Sequence, residues 1–212
     1  MRMIKINPKY EHWRRFIESI PDVFEQEGKE IYNKRNLIKV LTAPDGTLVN
    51  VKRYHIPHGP NRLVYSWGIR KPKCQRAFDY PMILKDKGIE TPEPIALIEE
   101  RNSFYLLGYS YLITLQCDYG HTLYEVGNAK PGCYESLAKA LAHFAAKIHE
   151  SDVLHKDFTP GNVLWKQDDE GFHFSLVDIN RMSFGPVSIK QGLYNLRKFW
   201  GPKDFIRILA TE

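Results

Sequence analysis

Residues 153–180 constrain this chain more than any other stretch. They read Val153-Leu154-His155-Lys156-Asp157-Phe158-Thr159-Pro160-Gly161-Asn162, then Val163-Leu164-Trp165, a polar run, and Phe174-Ser175-Leu176-Val177-Asp178-Ile179-Asn180. Thr159, Pro160 and Gly161 are turn formers, and they stand between Asp157 and Asn162. The runs 163–165 and 174–177 have the composition of short strands. Segment 166–173, with Asp168, Asp169, Glu170 and Gly171, predicts the hairpin between them. Such a fold brings Asp157, Asn162 and Asp178 together as hard oxygen donors.

That donor set suits phosphoryl transfer, where a protein mainly positions a hydroxyl and neutralises phosphate charge. Asp157 is expected to accept the proton of the acceptor hydroxyl. Asn162 and Asp178 are expected to hold Mg²⁺ against the phosphates of ATP, and His155 to brace the loop from within. A His-x-Asp triplet or a lone turn occurs in many folds. The joint pattern, with strands where strands are needed, is what selects this chemistry.

The chain has 212 residues, enough to bury a core as one domain or two small lobes. Its net charge of +5 favours an anionic partner without choosing among a nucleotide, an acidic sugar, a membrane surface and nucleic acid. No nucleic acid is expected. Cys74, Cys117 and Cys133 are odd in number and form no Cys-x-x-Cys, so neither a disulfide framework nor a zinc site is indicated. That usage fits a reducing cytoplasm. The first residues lack an apolar signal region, and the greasiest stretch, 104–117, is too short and mixed to span a bilayer.

Asn7-Pro8 reads as a helix start, with Trp13, Phe16, Ile17 and Ile20 at helical spacing and Pro21 as the stop. Strands are predicted over 30–32, 37–42 and 48–54, with the turn 43–46 joining the last two. A helix is predicted over 76–87, stopped by Gly88. Strands over 95–99, 104–107 and 109–116 follow, then a break at 117–120. Helices are predicted over 134–151, 188–200 and 203–209. The stripe Leu137, Leu141, Phe144 and Ile148 reads as core, and His143 and His149 have no cluster that would make them metal ligands.

Lys52 closes Val49-Asn50-Val51-Lys52 on the third of the early strands, where it would reach the phosphates of ATP. Asp79, on the next helix, is the candidate to pair with it. The turn 33–36, expected over the phosphates, has no glycine. Residues 116–118 are expected at the adenine. From Gly46 to Phe78 there is no Asp or Glu, while Arg53, Arg62, Arg70, Lys71, Lys73 and Arg76 interleave with aromatic residues. This basic 52–76 segment reads as a contact with an anionic membrane, as a docking face for an acidic substrate, or as a solvated loop.

The chain resembles the bacterial lipopolysaccharide kinases of the Kdo kinase type. The resemblance is carried by Arg35-Asn36, Val51-Lys52-Arg53, Arg76-Ala77-Phe78-Asp79-Tyr80 and Gly88-Ile89-Glu90-Thr91-Pro92-Glu93-Pro94-Ile95. His155-Lys156-Asp157-Phe158-Thr159-Pro160-Gly161-Asn162 and Val177-Asp178-Ile179-Asn180-Arg181-Met182 complete it. It implies an α+β, protein-kinase-like bilobal fold. The small antiparallel-sheet N-lobe would span 1–117, and a reduced, mainly helical C-lobe 118–212. It implies ATP-dependent, Mg²⁺-assisted transfer to a hydroxyl of Kdo or a heptose in the lipopolysaccharide inner core. The expected location is cytoplasmic, peripheral at the inner membrane. The chain departs from protein kinases at Lys156 (for Arg), Asp79 (for Glu), Asn180 (for Gly) and Thr159 (for Lys). Two rival readings stay open: another small-molecule or RIO-like protein kinase, and a pseudokinase that binds without turnover.

Overall fold

The computed structural model describes residues 1–212 as two compact units. Met1–Pro81 and Pro92–Cys117 form the first; Met82–Thr91 and Asp118–Glu212 form the second.

The first unit is built on β1 (Arg2–Ile6), α1 (Arg14–Val23), β2 (Lys29–Asn33), β3 (Asn36–Thr42), β4 (Leu48–Tyr54), α2 (Pro60–Ser66), α3 (Lys73–Asp86, of which the part up to Pro81 belongs here), β5 (Pro94–Arg101) and β6 (Leu107–Leu115). The strands form one six-stranded sheet in the order β1-β5-β6-β4-β3-β2, each pair antiparallel. Strand β1 was not expected from the sequence. Arg2-Met3-Ile4-Lys5-Ile6 has no turn signal to frame it, and only its partner β5, with Ile4 opposite Ile98, gives it an edge to join.

Strand residues alternate between two faces. On one face Val49, Val51, Ile98, Tyr111 and Ile113 pack with Trp13, Ile17, Ile20 and Phe24 from the N-terminal helical segment. On the other, Tyr54, Leu97 and Leu112 pack with Cys74, Ala77 and Phe78 of α3. Pro21 does not end α1 as expected; the helix runs to Val23. A helical proline costs a hydrogen bond and a clash, but the helix is anchored here by fully buried Ile17 and Ile20. Its end is held by Lys39, a buried cation on β3. Lys39 Nζ donates to the carbonyls of Phe24, Glu25 and Glu27 at 2.6, 3.0 and 3.2 Å. Those carbonyls lie at the negative end of the helix, where a cation is favoured.

The predicted strand 104–107 is instead a turn. Asn102 Oδ1 accepts from the amides of Phe104 and Leu106, and the strand resumes at Leu107 as β6.

The second unit holds β7 (His121–Thr122), α4 (Glu135–Glu150), β8 (Val153–His155), β9 (Val163–Asp168), β10 (Gly171–Leu176), β11 (Met182–Phe184), α5 (Ile189–Leu196) and α6 (Lys203–Thr211). Short 3-10 turns occur at Leu123–Asn128, Pro160–Asn162 and Ile179–Arg181. Leu137, Leu141 and Ile148 of α4 are buried, as the apolar stripe predicts. Residues 82–91, read from the sequence as part of the N-lobe, belong to this unit. Lys87 Nζ donates to the Ser151 carbonyl, Lys147 Nζ to the Gly88 carbonyl, and the Leu176 amide to the Glu90 carbonyl.

Candidate active site

Strand β8 pairs antiparallel with β11, with His155 opposite Met182. The Lys156 amide donates to the Arg181 carbonyl at 2.8 Å. These bonds place the loop after β8 beside the segment that carries Asp178.

His155 is fully buried. Its Nδ1 accepts from the Asp157 amide at 3.1 Å, which puts the ring proton on Nε2, 3.2 Å from the Val177 carbonyl. Burial holds the imidazole below its ordinary pKa. A neutral ring is what this pairing requires, since a second ring proton would point at the Asp157 N–H. His155 thus braces Asp157 on one side and the approach to Asp178 on the other.

Asn162 ties the loop shut. Its Nδ2 donates to the Asp157 carbonyl at 2.8 Å, and its own carbonyl accepts from the Val177 amide at 3.0 Å. The β9–β10 hairpin, with Val163 opposite Leu176, sets Asn162 and Val177 side by side. With Nδ2 so engaged, the amide oxygen of Asn162 accepts nothing from the protein. Asp178 follows with φ 54° and ψ 41°, the left-handed region. A non-glycine residue there costs roughly 1 kcal/mol or more and is concentrated at functional sites. Asn180 Nδ2 donates to Asp178 Oδ1 at 2.6 Å. Asn180 is itself buried, and its Oδ1 has no protein partner. The structure therefore brings Asp157, Asn162 and Asp178 together through a continuous run of hydrogen bonds.

Two cations face Asp157. Lys198 Nζ lies 2.6 Å from its Oδ1, and an Arg181 nitrogen lies 3.9 Å from its Oδ2. Neither was identified from the sequence. Lys198 arrives because Phe199 packs edge-on against Phe158, with ring centres 4.9 Å apart. Asn195 Nδ2 also donates to the His155 carbonyl. The ring of Trp200 lies against Gly127, where a Cβ would come within 1.4 Å of it. Tyr124 also lies against Gly161 in the loop itself, where a Cβ would come within 2.5 Å of it. The signal in the sequence was only the predicted helix 188–200, within which Lys198 falls.

Lys52 lies on β4 of the first unit, opposite Ile38 and Leu112, with its Nζ 5.1 Å from the centre of the Tyr54 ring. The expected Lys52–Asp79 pair is corrected. Asp79 instead binds Lys5 Nζ at 2.8 Å and Lys71 Nζ at 3.2 Å. The reason is helical phase: the face of α3 turned to the sheet carries Cys74, Ala77 and Phe78, and Asp79 lies beside it. Burial pushes the Cys74 thiol well up, with Glu99 adding to the rise and Lys52 opposing it. Residues 33–36 do form the turn between β2 and β3. The Gln116 amide is committed to the Leu48 carbonyl.

A sheet bearing a strand lysine, then an Asp-to-Asn loop, a hairpin and a second Asp, is the arrangement of the protein-kinase-like phosphotransferases. The model of the lipopolysaccharide kinase (Kdo/WaaP) family matches residues 28–198, and the chain belongs to that family. It is accordingly a kinase that phosphorylates sugar hydroxyls with ATP and a divalent metal. Among solved structures it is similar to one described as WaaP in complex with acyl carrier protein. That match has 15% identity and a TM-score of 0.58, covering 99% of this chain and 89% of the other. It is also similar to a complex of the Rio2 kinase from Chaetomium thermophilum with ADP, Mg²⁺ and phosphoaspartate. Here identity is 14% and the TM-score 0.52, with coverage of 96% and 68%. Both likenesses are of fold. No curated protein sequence matches.

Proposed function

We propose that this protein transfers the γ-phosphate of ATP to a hydroxyl of a lipopolysaccharide inner-core sugar, Kdo or heptose, with Mg²⁺ as the metal. The observation that carries the reading is Asp157, braced by His155 through its amide and faced by Lys198. Asp157 accepts the acceptor's hydroxyl proton as the new O–P bond forms and the bond to ADP breaks. Lys198 holds the Asp157 carboxylate aimed through its 2.6 Å contact, and supplies positive charge where Thr159 replaces the loop lysine of protein kinases. Lys52 binds the phosphates from its strand.

Asn162 and Asp178 fit a metal site. One carboxylate and one amide oxygen, the latter with no protein donor, are the sparse set that Mg²⁺ takes together with phosphates and waters. Asn162 and Asp178 would hold the ion, which would supply positive charge against the charge developing in phosphoryl transfer. Asn180 holds Asp178 in its left-handed conformation. The acceptor is the sugar of a lipid, and the basic 52–76 segment supplies peripheral contact with the membrane that carries it.

The test is transfer from labelled ATP to Kdo- and heptose-bearing lipid acceptors, with Asp157→Ala beside the wild type. Transfer to one of them is expected, with kcat lowered by about 10²–10⁴ in the variant. Transfer only to other small molecules or to proteins would overturn the sugar assignment. Nucleotide-dependent thermal stabilisation with no turnover on any acceptor would make the chain a binding module.

A further inference from the structure

Within the first unit, two loops place apolar side chains in solvent next to each other. One follows α2 and exposes Trp67 (68%) and Ile69 (72%); the other is the turn between β5 and β6 and exposes Phe104 (80%) and Tyr105 (63%). They are clasped. One nitrogen of Arg101 donates to both the Ser66 carbonyl (3.1 Å) and the Tyr105 carbonyl (3.0 Å). Ser66 Oγ accepts from the Leu107 amide, and Arg62 Nε donates to the Leu107 carbonyl. The turn itself is rigid. Asn102 accepts from the Phe104 and Leu106 amides, and Tyr105 is held at φ 60°, a conformation that costs stability in a non-glycine residue. A fixed and strained turn that spends its aromatic residues on solvent is the mark of a binding surface.

Charge identifies the partner. Between Gly46 and Phe78 there is no acidic residue. Arg53 is committed to Glu25 and Lys71 to Asp79, whereas Arg62 and Arg70 have no carboxylate partner. Beside the clasp lies a cavity of about 380 Å³ whose walls include Arg2, Arg62, Arg101, Asn102 and Tyr109, with Glu100 as the acid. Arg2 and Arg101 are paired with carboxylates; Arg62 is not. Apolar tips projecting from loops suit a fluid layer better than the groove of a folded protein. Trp and Tyr favour the headgroup level, and Phe and Ile the acyl chains below it.

We propose that Trp67, Ile69, Phe104 and Tyr105 form one membrane-inserting tip that seats this unit on an anionic bilayer, with Arg62 and Arg70 on the lipid phosphates. This deepens the contact read for the 52–76 segment by adding the 102–106 turn, which the sequence left as a strand.

The experiment is flotation of the full chain with phosphatidylglycerol-containing vesicles and with neutral phosphatidylcholine vesicles. It uses neither ATP nor acceptor, so its outcome is separate from that of the kinase reading. Binding to the anionic vesicles is expected. It should weaken at least about tenfold in Ile69→Ser/Phe104→Ser, both of which are exposed, with the melting temperature unchanged. Brominated lipid should quench tryptophan fluorescence in the wild type and much less in Trp67→Phe, which keeps the apolar tip. Equal binding by the double variant, or no binding of the wild type to anionic vesicles, would overturn the proposal. So would capture of an acidic carrier protein that depends on Ile69 and Phe104 while vesicle binding does not.

Discussion

Lys198 Nζ stands 2.6 Å from Asp157 Oδ1, although the two residues are 41 positions apart. The same ammonium reaches the Lys156 carbonyl at 3.3 Å. A cation in that place orients the carboxylate and offers charge to a transferring phosphoryl group. Lys198→Met should lower kcat about ten- to a hundredfold. The KM for ATP should change much less, because the contact is to Asp157, the proposed base, and not to the proposed phosphate-binding residues. Lys198→Arg should recover part of the loss. Steady-state kinetics on the accepted sugar decide it, and an unchanged kcat in the Met variant removes Lys198 from the chemistry.

At the proposed metal site, Asn180 orients Asp178 through its side-chain hydrogen bond. Its side chain is buried and donates at 2.6 Å to a carboxylate in a left-handed residue. Asn180→Ala should raise the metal concentration needed for half-maximal rate by about 10- to 100-fold, as loss of such orienting bonds does elsewhere. Asp178→Ala should abolish metal-nucleotide-dependent thermal stabilisation altogether. A metal titration of each variant separates the two. Equal metal requirement in wild type and Asn180→Ala would show that Asp178 needs no orienting partner.

Stability should depend on pH through His155. Its pKa is held below the ordinary 6.5 by burial, so the unfolded chain binds a proton that the folded chain excludes. His149 is shifted in the same direction, again by burial. Stability is therefore full above about pH 6.5 and falls as the pH drops below it. The carboxylates whose pKa values are lowered, such as Asp168 and Asp204, act only below the ordinary carboxylate range. Denaturant unfolding at pH 7.5 and 5.5 should give a lower midpoint at the acid value, and a flat profile across that window would contradict the neutral-ring geometry.

Lys39 and Gly127 are structural positions that an alignment of motifs would pass over. Lys39→Met should cost about 1–3 kcal/mol, because the carbonyls at the end of α1 lose their buried donor. Gly127→Ala drives a methyl group into the Trp200 ring. It should displace the segment that presents Lys198 and cost about 1–3 kcal/mol. Thermal denaturation reads both. A Gly127→Ala protein with wild-type stability and kcat would mean that Trp200 moves aside freely.

Much of this was legible in the chain. The spacing of Asp157, Asn162 and Asp178 around a turn and a hairpin is a local property, and local hydrogen bonds carry it: Asn162 to Asp157, and Val177 to Asn162. The alternation in β3 and β4, and the stripe on α4, likewise come from periodicity that needs no distant partner. Asp79 was misjudged because a motif states that an acid is present on a helix but not which way it turns. One residue of phase carried it to Lys5 and Lys71.

The order of residues alone determined the loop, the hairpin and the donor types, since each depends on neighbours within a few positions and on their intrinsic turn and strand preferences. Folding in three dimensions decided the rest: that β1 closes the sheet edge, that Lys198 reaches Asp157, and that Trp67 and Phe104 share one exposed tip. Those contacts join residues far apart in the chain. Packing of Phe199 on Phe158, and the clasp made by Arg101, create proximity that no spacing rule encodes.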